Sequence, residues 1–214
     1  MAAPCNGLAM PASSIQVTGV VLAGGLARRM GGGDKGLISF AGQPLIRYAL
    51  WAIETVTDDI LINANRNLDR YREFGYPVVC DYNNSFDGPL AGILSAMSHA
   101  QADYLLTVPC DCPLIDSGIL KRMVKAMESE PVDCLVADDG ARLHPVILLL
   151  DCSLKENLKA YLDRGERKID RFFLQHRWKR VQFSDRPEVF RNVNTPEELA
   201  ALERELLGSG KKPC

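Results

Sequence analysis

Nothing in this 214-residue sequence approaches the roughly twenty consecutive apolar residues that a membrane-spanning helix needs. The opening stretch MAAPCNGLAMPASSIQ has neither a basic leader nor a sustained apolar run, so it fails as a signal peptide. Residues 1–16 are expected to form a flexible arm, and the tail 208–214 is expected to be flexible too. Charge of one sign is also missing. The 25 Lys and Arg against 27 Asp and Glu give a formal net charge of −2, which offers no global attraction to nucleic acid or a membrane surface. Any anion binding must therefore be local. The seven cysteines lack paired metal spacing. Cys110-x-Cys112 has no second C-x-x-C or His pair, so zinc is not expected, and reduced thiols in a cytoplasmic protein are the simplest reading.

Two common phosphate-binding signatures are absent as well. A Walker A loop needs G-x-x-x-x-G-K followed by Ser or Thr, but Lys35 is preceded by Asp34 and followed by Gly36. The G-x-G-x-x-G spacing of a dinucleotide fold does not follow any strand signal. What the sequence has instead is the stretch 18–35, TGVVLAGGLARRMGGGDK. The apolar run Val20-Val21-Leu22 fits a strand buried on both faces. It stops at Gly24-Gly25, where small residues let backbone amides come close to a ligand. Arg28, Arg29, a second glycine cluster and Asp34-Lys35 follow. Strand, glycine turn and clustered cations suit a polyphosphate. A surface loop with solvated charges is the competing reading, and the position at a strand's carboxyl end favours the ligand.

Along the chain, apolar strand signals alternate with helical ones. Leu37 to Phe40 is extended, and Gly42-Gln43-Pro44 opens a helix running to about Thr55. Strands follow at Ile60-Leu61-Ile62, Pro77-Val78-Val79-Cys80 and Tyr104-Leu105-Leu106-Thr107-Val108. Between them lie helices over 68–74 and from Gly88 to about Ala100. Such crossovers imply parallel pairing and a doubly wound α/β arrangement. Each strand ends on glycine or a polar residue: Gly24-Gly25, Asn63, Asp81 and Asp111. All four are expected to meet in one crevice. In the second half, Ser117 is expected to cap a helix to about Glu128. Cys134 to Ala137 and 145–150 form an antiparallel pair around the turn signal Asp138-Asp139-Gly140. Helices over 153–163 and 169–175 and a strand Val181-Gln182-Phe183 follow. Thr195-Pro196-Glu197-Glu198 is a capping box that starts a last helix to about Leu207. The whole is expected to form one mixed-sheet domain over 17–207, with a nucleotide half (17–113) and an acceptor half (114–207).

Asp111 follows an apolar strand between two prolines. A lone carboxylate there can hold Mg²⁺ together with substrate phosphates, or can simply satisfy turn amides. Asp81 carries the same two readings, and Asn63 suits a base or ribose edge or a turn. His144 belongs to no evident nucleophilic arrangement. Asp138-Asp139 fits a hairpin turn better than a metal pair, while Arg164-Gly165-Glu166-Arg167-Lys168 is either an acceptor-facing cationic run or a solvated surface. A phosphate cradle plus an acidic ligand and no evident nucleophile point to transfer from a nucleoside triphosphate, driven by positioning and charge neutralisation.

Val20 to Gly25, with Arg29-Met30-Gly31 and Asp34-Lys35, resembles the signature of nucleotidyltransferases of the GT-A-like Rossmann class. More closely, the chain resembles the molybdenum cofactor guanylyltransferases, the MobA family. Further matches, in family order, are Asn63-Ala64-Asn65, Asp81, Gly88-Pro89-Leu90-Ala91-Gly92, Pro109-Cys110-Asp111, His144-Pro145, Gly165-Glu166-Arg167 and the run from Asn192 to Leu199. The resemblance implies a three-layer α/β fold with a mostly parallel mixed sheet. It also implies transfer of GMP from GTP to the phosphate of molybdopterin, with release of pyrophosphate and dependence on Mg²⁺. By resemblance, Leu22, Ala23 and Gly24 contact the nucleotide through their backbone, and Gly25 keeps the loop close. Arg29 and Lys35 neutralise phosphate charge, Asn63 and Asp81 contact the nucleoside, and Asp111 holds the metal. Asn192 and Asn194, with Arg167 or Lys168, would lie on the pterin side. Proteins that handle the cofactor or accept it are implied partners.

Two rivals remain at this stage. A cytidylyltransferase of the same cofactor, or another sugar-type nucleotidyltransferase, would share the fold; in the family, Leu-Ala-Gly-Gly goes with guanine. A non-catalytic nucleotide-binding protein would be expected to have lost the lysine or the acidic ligand, and both Lys35 and Asp111 are present.

Overall fold

A computed structural model describes residues 15–25, 33–81 and 88–209. Among them, seven strands form one sheet: β1 (Val17–Leu22), β4 (Ile60–Asn63), β5 (Val78–Val79), β6 (Tyr104–Pro109), β7 (Cys134–Asp138), β8 (Leu143–Asp151) and β9 (Trp178–Gln182). The spatial order is β5-β4-β1-β6-β8-β7-β9. Every residue of β1 is buried, as a strand covered on both faces requires, and β1 pairs in parallel with both β4 and β6. From β1 the chain first builds outward through β4 and β5, then crosses back to place β6 on the other side. The carboxyl ends of β1 and β6 therefore flank the point where strand order reverses, the place where such sheets bind ligands. Beyond β6 the sheet turns antiparallel through β8 and β7, and β9 closes the edge parallel to β7. This is the mixed, mostly parallel α/β sheet expected.

Alternation along the strands supplies two apolar faces. Val21, Ile62 and Val108 pack with helices α1 (Leu45–Ile53) and α4 (Ser117–Ser129) on one side. Val20, Leu61 and Val136 pack with α3 (Pro89–His99), α5 (Lys155–Asp163) and α6 (Ile169–Phe173) on the other. The short α2 (Leu68–Arg72) connects β4 to β5. A third cluster joins Phe40, Leu45 and Tyr48 to Val193 and to Leu202 and Leu206 of α7 (Pro196–Ser209). It clamps the C-terminal helix onto the segment that follows Lys35. Among the described residues no helix is long and apolar enough to cross a membrane.

Several local expectations need correction. Gln43-Pro44 does not start the helix. It is strand β3 (Gln43–Pro44), paired antiparallel with β2 (Ser39–Phe40), and α1 begins only at Leu45. The reason is a tight turn with both Ala41 (φ 47°) and Gly42 (φ 85°) in the left-handed region, which folds Gln43 back onto Phe40. A 3₁₀ turn, Lys35–Leu37, takes Leu37 from the extended segment expected there, while Ile38 to Phe40 is extended as expected. Helix α4 is capped by Asp116 rather than Ser117, its carboxylate accepting from the amides of Gly118 and Ile119. Strand β9 begins at Trp178 and ends before Phe183.

Candidate active site

The polar residues at the strand ends do converge. A crevice of about 360 Å³ is lined by Gly24 and Gly25 after β1, Asn63 at the end of β4, Asp81 beyond β5, and Asp111 after β6. Leu22 and the Gly88-Pro89 entry to α3 complete its walls. That volume lies within the range of small-molecule sites.

The floor of the crevice is a network of carboxamides. Asn63 Nδ2 donates to Asp81 Oδ1 at 2.9 Å and to the Val79 carbonyl at 3.2 Å. Asn65 Nδ2 donates to Asp81 Oδ2 at 2.8 Å, while the Asp81 amide donates back to Asn65 Oδ1 at 2.8 Å. Asp81 thus fixes both asparagines. This packing leaves no room above Asn63: a Cβ on Gly92 would stand 2.3 Å from Asn63 Oδ1, and one on Gly24 would stand 2.8 Å from Asn65 Nδ2. A Cβ on Gly25 would meet nothing within 4 Å. Gly24 is therefore required by the protein's own interior, whereas Gly25 faces open space. The Ala23 amide is already committed to the Asn63 carbonyl at 2.8 Å, and the Leu22 carbonyl accepts from the Cys110 amide at 3.1 Å.

At the other wall, Lys35 Nζ donates to Asp111 Oδ2 at 2.6 Å and to Asn194 Oδ1 at 2.8 Å. Both ends of the ion pair are largely shielded, with side chains 15% and 17% exposed. The backbone before Lys35 is anchored by Asp34, whose carboxylate accepts from Tyr71 Oη at 2.7 Å and Asn67 Nδ2 at 3.2 Å. Burial, the Cys110 thiol and the hydrogen bond to Asp34 all raise the Tyr71 phenol far above its ordinary range, so it stays a donor. The loop 192–194 is strapped to the same place: the Val193 amide donates to the Asp111 carbonyl at 2.9 Å, and the Asn194 amide donates to Glu198 Oε2 at 2.6 Å. Cys112 Sγ donates to Asn192 Oδ1 at 3.0 Å. Burial and the neighbouring Asp111 charge push the Cys110 and Cys112 thiols well up, so neither is poised as a thiolate nucleophile.

Among the described residues no group of three or more His, Cys, Asp or Glu could hold a metal unaided. The chemistry of Asp111 nevertheless fits a hard cation shared with phosphate oxygens, because its Oδ1 has only a long thiol contact, 3.9 Å from Cys112.

Of the residues singled out from sequence, Leu22, Gly24, Gly25, Asn63, Asp81 and Asp111 line the crevice, with Lys35 paired to Asp111. Ala23 sits buried beneath it. Asn192 and Asn194 line a separate chamber, linked to the crevice wall by the Asn194–Lys35 bond. Arg167 is not brought in: its guanidinium donates to the carbonyls of Leu162 and Glu166, at 2.7 and 2.8 Å, near the end of α5. Arg29, with Arg28, Met30 and Gly31, lies outside the described residues. Sequence reasoning gave no separate role to Asn65, Asp34 or Tyr71. Polar residues just past a buried strand, such as Asn65, were the available signal.

A doubly wound sheet with a glycine turn, a lysine and a carboxylate meeting at its switch point defines a nucleotidyltransferase-type site. The comparisons agree. The family described as MobA-like NTP transferase domain matches residues 19–181, and the chain belongs to it. The molybdenum cofactor guanylyltransferase of Shewanella sediminis is 51% identical over 189 residues, covering 88% of this chain and 96% of that protein. The protein of the same name from Shewanella loihica is also 51% identical, with the same coverage. Among solved structures, the molybdopterin-guanine dinucleotide biosynthesis protein A of Archaeoglobus fulgidus superposes with a TM-score of 0.74, at 20% identity, over 89% of this chain and 99% of that one. A CMP-2-keto-3-deoxy-manno-octonic acid synthetase bound to CTP superposes with a TM-score of 0.67 at 13% identity, covering 91% and 99%. Those two likenesses establish the fold.

Proposed function

We propose that this protein transfers GMP from GTP to the phosphate of molybdopterin, releasing pyrophosphate and forming the guanine dinucleotide form of the cofactor. The observation that carries the reading is the meeting of Gly24-Gly25, Asn63, Asp81 and the Lys35–Asp111 pair around one crevice in a chain of this family. In it, the nucleoside lies beside Asn63 and Asp81, whose mutual hydrogen bond, with the one to the Val79 carbonyl, spends the Asn63 amide hydrogens and leaves fixed side-chain oxygens as acceptors. Gly25, open to a distance of 4 Å, lets the phosphates approach the backbone. A phosphate oxygen of the pterin attacks the α-phosphorus of GTP, and the bond to the pyrophosphate oxygen breaks. Lys35 neutralises charge that grows on the phosphates, together with Arg29. Asp111 would hold Mg²⁺ jointly with the nucleotide phosphates, and the ion would supply further charge neutralisation there.

Lys35 stands beside Asp111, so cation and carboxylate meet the phosphates at one place. Asn192 and Asn194 stand on the acceptor side, held there by the Val193–Asp111 and Asn194–Lys35 bonds. The reaction belongs in the cytoplasm, where nucleoside triphosphates are supplied.

The test is thermal unfolding with Mg²⁺ and, separately, GTP, CTP, ATP and UTP. Ligand at a hundred times its dissociation constant stabilises a fold by about 2.7 kcal/mol, which a melting curve resolves. Selective stabilisation by GTP is expected. Selective stabilisation by CTP would replace this reading with a cytidylyltransferase.

A further inference from the structure

One hollow adjoins the nucleotide crevice and a second adjoins the first, and together they account for residues that the nucleotide site leaves unused. One, of about 150 Å³, shares Pro109 and Val146 with the crevice and reaches Cys112, His144 and Arg142. The other, of about 480 Å³, runs along α7 past Asn194 and Arg191. Among the described residues, Arg142 and Asn192 line both. They stand where a molecule reaching from the larger chamber toward Asp111 would pass.

Arg142 is placed there by the β7–β8 hairpin. A register shift between Val136 and Ala137 re-aims its end, and Asp139 closes the turn by accepting from the amides of Ala141 and Arg142, both at 2.8 Å. The other Asp139 oxygen is taken by His144 Nε2 at 2.7 Å, with His144 stacked on Phe190. The Arg142 guanidinium consequently has only a 3.9 Å approach to Asp139, and its side chain is 68% exposed. By contrast, Arg191 is engaged with Glu205 at 2.6 Å. Asn192 is oriented from beneath: because Oδ1 accepts from the buried Cys112 thiol, the Nδ2 donors are left for the hollow.

We infer that Arg142 and the Asn192 carboxamide, oriented by Cys112, bind the phosphate-bearing end of the acceptor. Arg142 is then an acceptor-binding residue and Cys112 a positioning residue that acts through Asn192. A guanidinium offers paired donors to a phosphate where an ammonium offers a point charge, so Lys is only a partial substitute. This inference rests on the guanylyl-transfer reading.

Steady-state transfer is measured with GTP and molybdopterin each varied, for the wild type and for Arg142→Ala, Arg142→Lys, Cys112→Ala and Cys112→Ser. Arg142→Ala is expected to raise the KM for molybdopterin by about tenfold or more, with the KM for GTP within about twofold of wild type. Arg142→Lys should recover part of the loss. Cys112→Ala should raise the molybdopterin KM by a smaller factor, and Cys112→Ser, which keeps a donor, should restore it. An Arg142→Ala enzyme with unchanged molybdopterin KM overturns the inference while leaving guanylyl transfer standing. A folded wild type that transfers no GMP overturns both.

Discussion

Lys35 and Asn194 lie 159 positions apart in sequence, yet the lysine ammonium donates to the Asn194 side chain at 2.8 Å while also pairing with Asp111. One cation thus touches both Asp111 and the loop that leads into α7. The third apolar cluster explains how so distant a contact is kept. Val193, in the middle of the loop, is buried against Phe40 and Leu45 just beyond Lys35. The segment after Lys35 and the loop 192–194 are joined at this point.

Lys35→Ala and Asp111→Ala should each lower kcat/KM for transfer by at least ~10²-fold, since the first removes a cation that would neutralise the phosphates and the second the carboxylate that would hold Mg²⁺. Far-ultraviolet circular dichroism should stay native for both. Wild-type turnover in either variant would remove that residue from the mechanism.

The two adjacent glycines should behave differently. Gly24→Ala puts a Cβ 2.8 Å from Asn65 Nδ2 and 3.1 Å from Asn63 Oδ1, so it should destabilise the unliganded protein by about 1–3 kcal/mol in chemical denaturation. Gly25→Ala has open space and should leave unliganded stability within about 0.5 kcal/mol while weakening GTP binding. Equal destabilisation by both would contradict this division of roles.

Removing the Tyr71 hydroxyl should loosen the base of the Lys35 loop. Tyr71→Phe takes a buried donor from Asp34 and should cost about 1–3 kcal/mol of stability. It should also weaken GTP binding in a titration, through the displaced Lys35. Unchanged nucleotide affinity would show that the Asp34 anchor does not set the lysine's position.

The Asp139 turn should give the protein a specific acid sensitivity. Burial alone would raise this carboxyl, but the hydrogen bond to His144 and the amides of Arg142 and Ala141 outweigh it and hold the group at about 2. A carboxyl held below its unfolded value of about 3.9 contributes stability that is fully present above that pH. The contribution is lost as pH falls through about 2. Asp139→Asn should therefore be less stable than wild type near neutrality, and its stability should fall less steeply between about pH 4 and 2. Parallel acid limbs in denaturant titrations would contradict it.

The glycine turn, the strand ends and their convergence were legible because buried parallel strands are short apolar runs, and the first polar residue after each marks the ligand-facing edge. Asn63, Asp81 and Asp111 could be placed in one crevice on that ground alone. The hairpin at Ser39–Phe40 and Gln43–Pro44 was not legible, since Ala41 takes a left-handed conformation that its side chain does not advertise. Ser117 was the expected cap, but Asp116 one position earlier is chemically as good and takes the role. The Lys35–Asn194 and Cys112–Asn192 contacts depend on how α7 docks, a tertiary fact with no local periodicity.

The most direct test of guanylyl transfer is to incubate the purified protein with Mg²⁺, molybdopterin and triphosphates labelled at the α-phosphate. Label from GTP should appear in a pterin dinucleotide, with one pyrophosphate released per transfer and little or no product from CTP. Label transferred from CTP alone, or none transferred from any triphosphate by folded protein, would contradict the account.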